Sequence, residues 1–304
     1  MKKSEARKQS NIDVSIVIPC YNEADGVRKS LEEIRKALRD TDGVQVIVVN
    51  DGSSDETPAI LKDCAKEFPQ IRVLHNGSNL GYGASLKRGI REAQGEIIVI
   101  TDADGTYPAS SIPELLNELK NCDMAVGARI GSKVEVPLIR RPAKWLLLLY
   151  ARWMARADIK DLNSGLRCFR RKDAIRFFPL LPDGFSFTST ITLSMHVNGM
   201  RVSYLPINYR KRLGKSSIRP IRDTLAFFTL VLRTTMYFRP LQVFGSLSGL
   251  LIASAILVGV AGKIYFGEVP DVASSSLFST GLIFLGLGLV GDLLNVSRKM
   301  NDSS

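Results

Sequence analysis

Short apolar runs alternate with segments of helical periodicity over the first 126 residues. Val14–Ile18, Val44–Val49, Ile71–Leu74, Ile97–Ile100 and Met124–Val126 have the length and β-branched content of strands. Between the first two, Val27, Leu31, Ile34 and Leu38 recur at helical spacing. Ile60, Leu61, Cys64, Ala65 and Phe68 form a second stripe, with Ser54 or Asp55 as a cap and Pro58 in the first turn. Ala84–Ala93 and Pro108–Lys120 predict two more helices. Strand and helix in alternation predict an α/β fold: a parallel sheet with right-handed crossovers.

The pattern changes in the second half. Leu241–Gly262 and Val272–Gly291 contain no charged residue. A helix of about 20 residues crosses a hydrocarbon core of roughly 30 Å, so two transmembrane helices over 241–296 are predicted. Arg233 and Arg239 precede the first span, and Arg298 and Lys299 follow the second. By the positive-inside rule both termini and the catalytic part are cytoplasmic, with the Lys263–Asp271 link outside. The rest divides into a basic tail over 1–12, an α/β domain with its acceptor region over 13–217, an interfacial helix over 218–240, and a cytosolic tail over 297–304. Trp145–Tyr150, flanked by Arg141, Lys144, Arg152 and Arg156, has a basic face opposite an apolar one. That describes a helix in a membrane interface, or a core helix with a solvated face.

Charge narrows the partners. The chain has 304 residues and a net charge of +11, from 41 Lys+Arg against 30 Asp+Glu. Arg129–Arg176 holds 13 basic and four acidic residues, and Arg201–Arg239 nine and one. Such an excess fits anionic partners, but the interleaved apolar runs and the two spans speak for lipid rather than nucleic acid. Cys20, Cys64, Cys122 and Cys168 have no CxxC spacing, which argues against structural zinc and for reduced thiols. With only His75 and His196, a histidine-rich metal site is excluded. Gly81-Tyr82-Gly83 is not a dinucleotide fingerprint, since position 86 is leucine, and no Walker A pattern occurs.

The candidate chemistry sits where the fourth strand runs into Asp102-Ala103-Asp104. In extended chain, residues two apart project to one side. Asp102 and Asp104 are thus expected together at the carboxyl end of the sheet, where open α/β sheets bind ligands. Paired hard oxygens suit Mg2+ or Mn2+ together with substrate phosphates. By itself the triplet reads more readily as a turn.

Ile18-Pro19-Cys20-Tyr21-Asn22-Glu23, Val49-Asn50-Asp51-Gly52-Ser53-Ser54-Asp55, Asn79-Leu80-Gly81-Tyr82-Gly83-Ala84 and Asp102-Ala103-Asp104 resemble, in order and spacing, the motifs of family 2 glycosyltransferases. Asp161–Arg171, Leu205-Pro206-Ile207 and Arg212-Leu213-Gly214-Lys215-Ser216-Ser217 resemble the dolichyl- and polyprenyl-phosphate hexose synthases within that family. The resemblance, over residues 14–240, implies a GT-A fold, a nucleotide-sugar donor and inversion at the anomeric carbon. It implies that Pro19, Tyr21, Glu23 and Asp51 hold base and ribose. Asp102 and Asp104 would hold the diphosphate through the metal, and Arg212 and Lys215 would close over it. Three departures stand out. Asn50 replaces the first of two usual aspartates. Thr106 replaces a frequent glutamine, which implies an extra water on the metal. Arg152-Trp153 lacks the glutamine of the processive motif and precedes Asp161, so polymer synthesis is disfavoured.

A lipid phosphate acceptor, dianionic above a pKa of about 6, needs cations rather than a base. Arg129, Arg140, Arg141, Arg167 and Arg170 are candidates, with Ser164-Gly165 as a place of backbone approach. Asp161 is a base if the acceptor is an alcohol, or orients one of those arginines; the second role is preferred. The expectation is a membrane-bound enzyme moving one hexose, mannose or glucose, to a polyprenyl or dolichyl phosphate. The rivals are transfer to a lipid alcohol such as diacylglycerol, and a non-catalytic nucleotide-binding membrane scaffold.

Overall fold

The computed structural model describes residues 12–39, 41–130, 152, 157–210, 236–237 and 239–301. The chain packs as two units, Met1–Phe227 and Phe228–Ser304.

The first unit is built on β1 (Val14–Cys20), α1 (Val27–Ala37), β2 (Val44–Asn50), α2 (Thr57–Glu67), β3 (Ile71–His75), α3 (Tyr82–Glu92), β4 (Ile97–Ile100), α4 (Ile112–Glu118) and β5 (Met124–Ala128). These match the predicted elements within a few residues. β1 runs on through Pro19, which pairs with Val49. β4 ends opposite Val17, so Pro19 sits at a local sheet edge, where a missing N–H is tolerated. Ile98, Val99 and Ile100 have no exposed surface, as a strand covered on both faces requires. α1, α2 and α4 share one core with alternate strand residues such as Ile16, Ile18, Val46 and Val48. α3 covers the other face, with Gly89 against Val17 and Val49.

Beyond β5 come β6 (Arg167–Arg170), α5 (Arg171–Phe177), α6 (Phe187–Val197) and β7 (Val202–Pro206). Neither β6 nor β7 stands out in the hydropathy pattern. They complete a seven-stranded sheet of order β3-β2-β1-β4-β6-β5-β7. β6 is antiparallel to both β4 and β5, while all other pairings are parallel. The start of β6 therefore lies at the edge where its neighbours end. That brings residues 161–166 to the loops after β1, β2, β3, β4, β5 and β7.

The second unit is a hairpin of α7 (Pro240–Phe266) and α8 (Asp271–Asn301), turned at Gly267 with φ +75°. Twenty-seven residues of α7 make a rod of about 40 Å. Leu250, Leu257, Ile264, Ile283 and Leu293 are each more than 60% exposed, an apolar exterior that water does not tolerate at this extent. Gly281 meets Ile252, and Gly288 meets Leu241 and Phe244 along the hairpin seam. The basic helix around Trp145 and nearly all of the interfacial helix expected over 218–240 fall outside the described residues.

Candidate active site

β4 stops at Ile100, and residues 103–104 already turn. The alternation expected to aim Asp102 and Asp104 together thus does not extend to them; a turn keeps both at the sheet edge, with Gly105 at φ +70°. Asp104 is only 7% exposed, and its Oδ1 accepts from the Thr106 N–H (3.1 Å) and Oγ1–H (2.7 Å). Thr106 thus orients the carboxylate. Asp102 Oδ1 accepts the Tyr82 hydroxyl at 2.9 Å. A β-carbon on Gly165 would fall 2.8 and 2.9 Å from the Asp102 oxygens, and one on Gly26 would fall 3.2 Å from Asp104 Cα. The acidic turn is therefore gripped between two backbone segments. Among the described residues no group of three His, Cys, Asp or Glu could hold a metal. Two carboxylates fit a hard cation that completes its shell with phosphate oxygens and water, as Mg2+ commonly does.

On the side where the resemblance expects the donor, the loop after β1 is tied to the loop after β2. Asn22, at φ +53°, donates its N–H to Ser53 Oγ and accepts the Ser54 N–H at 2.8 Å. Tyr21 is 42% exposed beside it, and the Glu23 N–H donates to Thr57 Oγ1. Asp51, expected at the base and ribose, is tied into the protein. It is 3% exposed, and its oxygens accept from Asn76 Nδ2, the Leu80 N–H (3.0 Å) and the Gly81 N–H (2.8 Å). Through these bonds it shapes the Leu80-Gly81 loop. Asn50 Nδ2 lies 3.1 Å from His75 Nδ1. An amide N–H only donates, so Asn50 supplies a neutral donor that an aspartate in its place could not.

The Gly81-Tyr82-Gly83 glycines face protein. β-Carbons there would lie 2.6 Å from Asp183 O and 2.1 Å from Pro182 O. The close approach of the 182–184 loop fixes Tyr82 with its hydroxyl on Asp102.

On the other side, Arg129 follows β5 and forms a fork on Asp161, Nε to Oδ2 at 2.8 Å and Nη2 to Oδ1 at 2.9 Å. Nη1 takes no hydrogen bond among the described residues, and the guanidinium lies 5.4 Å over the Tyr209 ring. Burial pushes the Asp161 pKa up, but the bonds and charge of Arg129 outweigh it and hold the carboxylate below its ordinary range. A carboxylate so held is a poor general base, which favours the orienting role. Tyr107 packs edge-on against Tyr209 at 5.1 Å and accepts the Gly165 N–H at 2.7 Å; burial, then the Asp102 charge, drives its pKa up.

Ser164 and Arg167, expected at the acceptor phosphate, are both turned into the protein. Ser164 is fully buried and donates to Gly127 O at 2.6 Å. Arg167 is also fully buried: Nε donates to Ser164 O (3.1 Å), and Nη1 to Thr188 O (2.7 Å) and Thr192 Oγ1 (2.6 Å). Its donors tie the 164–167 turn to α6, and Gly165 approaches Asp102. Arg170 reaches Asp123 at 3.3 Å, at the far end of β6. Arg140, Arg141, Arg212 and Lys215 lie outside the described residues. The chain leading to the last two passes the acidic turn, since the Arg210 N–H donates to Thr106 O at 2.9 Å.

Tyr82, Tyr107, Tyr209 and Asn76 escape a reading by motif function, and of these Tyr82 alone carried a signal, as the residue between two glycines. Thr106 was marked by the motif comparison, but not as the donor that orients Asp104.

Residues 15–178 match the domain described as Glycosyl transferase family 2. The chain is 30% identical over 214 residues to the undecaprenyl-phosphate mannosyltransferase of Micrococcus luteus, covering 67% of this chain and 87% of that protein. It is 29% identical over 301 residues to the undecaprenyl-phosphate 4-deoxy-4-formamido-L-arabinose transferase of Pseudomonas fluorescens, covering 92% of this chain and 84% of that one. In fold it is similar to glucosyl-3-phosphoglycerate synthase from Mycobacterium tuberculosis, crystallised with Mg2+ and UDP. The TM-score is 0.58 at 17% identity, over 73% of this chain and 79% of that one, a GT-A arrangement as the sequence implies. The family match runs from β1 through α5 and takes in more than half of the 304 residues, so the chain belongs to glycosyl transferase family 2.

Proposed function

We propose that this protein is a membrane-anchored transferase that moves one hexose, mannose or glucose, from a nucleotide-diphosphate sugar to a polyprenyl or dolichyl phosphate, with inversion. One observation carries the reading. Within five residues, Asp161 holds Arg129 in a fork and Gly165 touches the Asp102 carboxylate. An arginine suited to an acceptor phosphate and an aspartate suited to a donor diphosphate thus stand at one edge of the sheet. The relatives named for undecaprenyl-phosphate substrates and the two apolar helices support a lipid acceptor.

The chemistry follows from the acceptor. A phosphate monoester with a second pKa of about 6 is already nucleophilic at neutral pH, so no side chain need take its proton. Its oxygen bonds to the anomeric carbon as the bond to the nucleoside diphosphate breaks and the electron pair leaves with the diphosphate. Arg129, aimed by Asp161, places the acceptor phosphate. Asp102 and Asp104 would hold Mg2+ or Mn2+, which neutralises charge growing on the leaving diphosphate. Arg212 and Lys215 follow the Arg210–Thr106 contact within five residues and are assigned to the same diphosphate.

The test is a donor screen with the purified full chain, UDP- and GDP-hexoses and a short polyprenyl phosphate. An acid-labile glycosyl phosphate is expected. An acid-stable product on diacylglycerol supports the lipid-alcohol reading, and absence of turnover on any donor supports the scaffold. Both termini and the first unit are assigned to the cytoplasm. A cysteine in the 267–271 link should be labelled only from outside the cell, and labelling from the cytosol overturns that topology.

A further inference from the structure

Among the described residues of the first unit, Phe185 is the most exposed large apolar side chain, at 63%. Its loop is nonetheless anchored. The Ala84 N–H donates to Asp183 O at 3.0 Å, Lys87 pairs with the Asp183 carboxylate, and Lys87 Nζ donates to Leu181 O at 3.1 Å. One face of the ring stacks on Tyr82, with centroids 5.6 Å apart and planes 19° apart. Tyr82 in turn donates to Asp102. Beside Phe185 the space is open, since a β-carbon on Gly184 would meet nothing within 4 Å.

We propose that Phe185 is the surface on which the hexose ring of the donor stacks, and that it sets discrimination among sugars. This rests on the donor reading given under Proposed function. The sugar is bonded directly to the diphosphate assigned to Asp102, and Phe185 lies one aromatic ring away from that carboxylate. A pyranose presents a C–H-rich face that an aromatic ring covers without stranding hydroxyls, and small-molecule sites are lined by such rings with a few polar groups beside them. Epimers differ in which hydroxyls break that face, so a flat partner tells them apart. The acceptor-side arginine has a separate aromatic pair, Tyr107 and Tyr209, so Phe185 belongs to the donor half.

The experiment uses the full chain in detergent, with Phe185→Leu to remove the flat face and Phe185→Tyr to restore it. Affinities are measured for UDP and GDP alone and for UDP-glucose and GDP-mannose, alongside KM for the polyprenyl phosphate. In Phe185→Leu the sugar conjugate the wild type prefers should weaken about three- to tenfold while its parent diphosphate changes less than about twofold; Phe185→Tyr should recover the difference. Equal weakening of conjugate and diphosphate overturns the proposal, because Phe185 would then act only by buttressing Tyr82. A loss confined to KM for the polyprenyl phosphate also overturns it, in favour of a lipid contact. A wild-type chain that binds UDP or GDP but gains nothing from the hexose removes the platform alone. One that binds neither removes the donor reading and the platform with it.

Discussion

Gly165 and Asp102 stand so close that a β-carbon on the glycine would fall within 3 Å of both carboxylate oxygens. Gly165 is not among the glycines with positive φ, so alanine there adds no backbone strain. Gly165→Ala should therefore keep the melting temperature within a few degrees while pushing Asp102 aside. A misplacement of this kind costs on the order of 100-fold in rate. Steady-state transfer and thermal melting on one preparation check this, and undiminished transfer would show that Asp102 does not need its position.

Asp104→Asn is the matching test of the carboxylates. Asn is near-isosteric and can still accept from Thr106, so folding should survive while transfer collapses and added Mg2+ or Mn2+ no longer helps. Chelator should silence the wild type, with activity restored by the cation. Turnover that ignores chelator removes the metal assignment.

The Arg129–Asp161 fork makes a prediction about pH. Asp161 has its pKa lowered in the folded chain. The pair's stability is therefore fully present above the ordinary carboxylate value of about 3.9 and is lost as pH falls through the lowered one. Above about pH 5 no step in rate should come from Asp161. A decline below about pH 6, as the acceptor phosphate gains a proton, should appear in wild type and in Asp161→Asn alike. A profile that loses this limb in Asp161→Asn would make the aspartate a base. Arg129→Lys keeps charge but loses the fork, and should cut transfer about 10- to 100-fold with donor affinity unchanged.

Arg167 should behave otherwise. Its burial depresses the pKa, and its N–H groups satisfy Ser164 O and Thr188 O. Arg167→Lys cannot reach the same partners in fork geometry, and stranding buried polar groups costs about 1–3 kcal/mol each. Melting temperature, donor affinity and transfer should fall together. A variant that melts normally yet fails only in transfer would return Arg167 to the acceptor.

The difference between these two arginines shows what the sequence can carry. Both occur in basic stretches beside motif residues, and nothing in spacing says that Arg129 follows a strand at the sheet edge while Arg167 begins one in the core. Strands β1 to β5 were legible because apolar runs with β-branched residues mark fully covered strands. β6 was not, because Arg167-Cys168-Phe169-Arg170 is flanked by cations whose burial depends on turns distant in sequence. Asp102 and Asp104 were legible as chemistry, but what holds them, Tyr82, Thr106 and Gly165, is set by tertiary approach. The surroundings of Asp51 were hidden for the same reason: its acceptors serve Asn76, Leu80 and Gly81, and loop-shaping leaves no distinct pattern.

The reversed direction of β6 has a consequence for how such a catalyst can diversify. β5 leaves the sheet and β6 enters it at the same edge, with Val126 opposite Arg167. Chain inserted or deleted between Arg129 and Asp161 starts and finishes at the reacting edge. Its length can change at small entropic cost without altering the register of any strand. The donor half, β1 to β4, is indifferent to such edits. Under the acceptor and donor assignments proposed above, a change of acceptor needs only an exchange of chain between two fixed posts, with β1 to β4 left as they are.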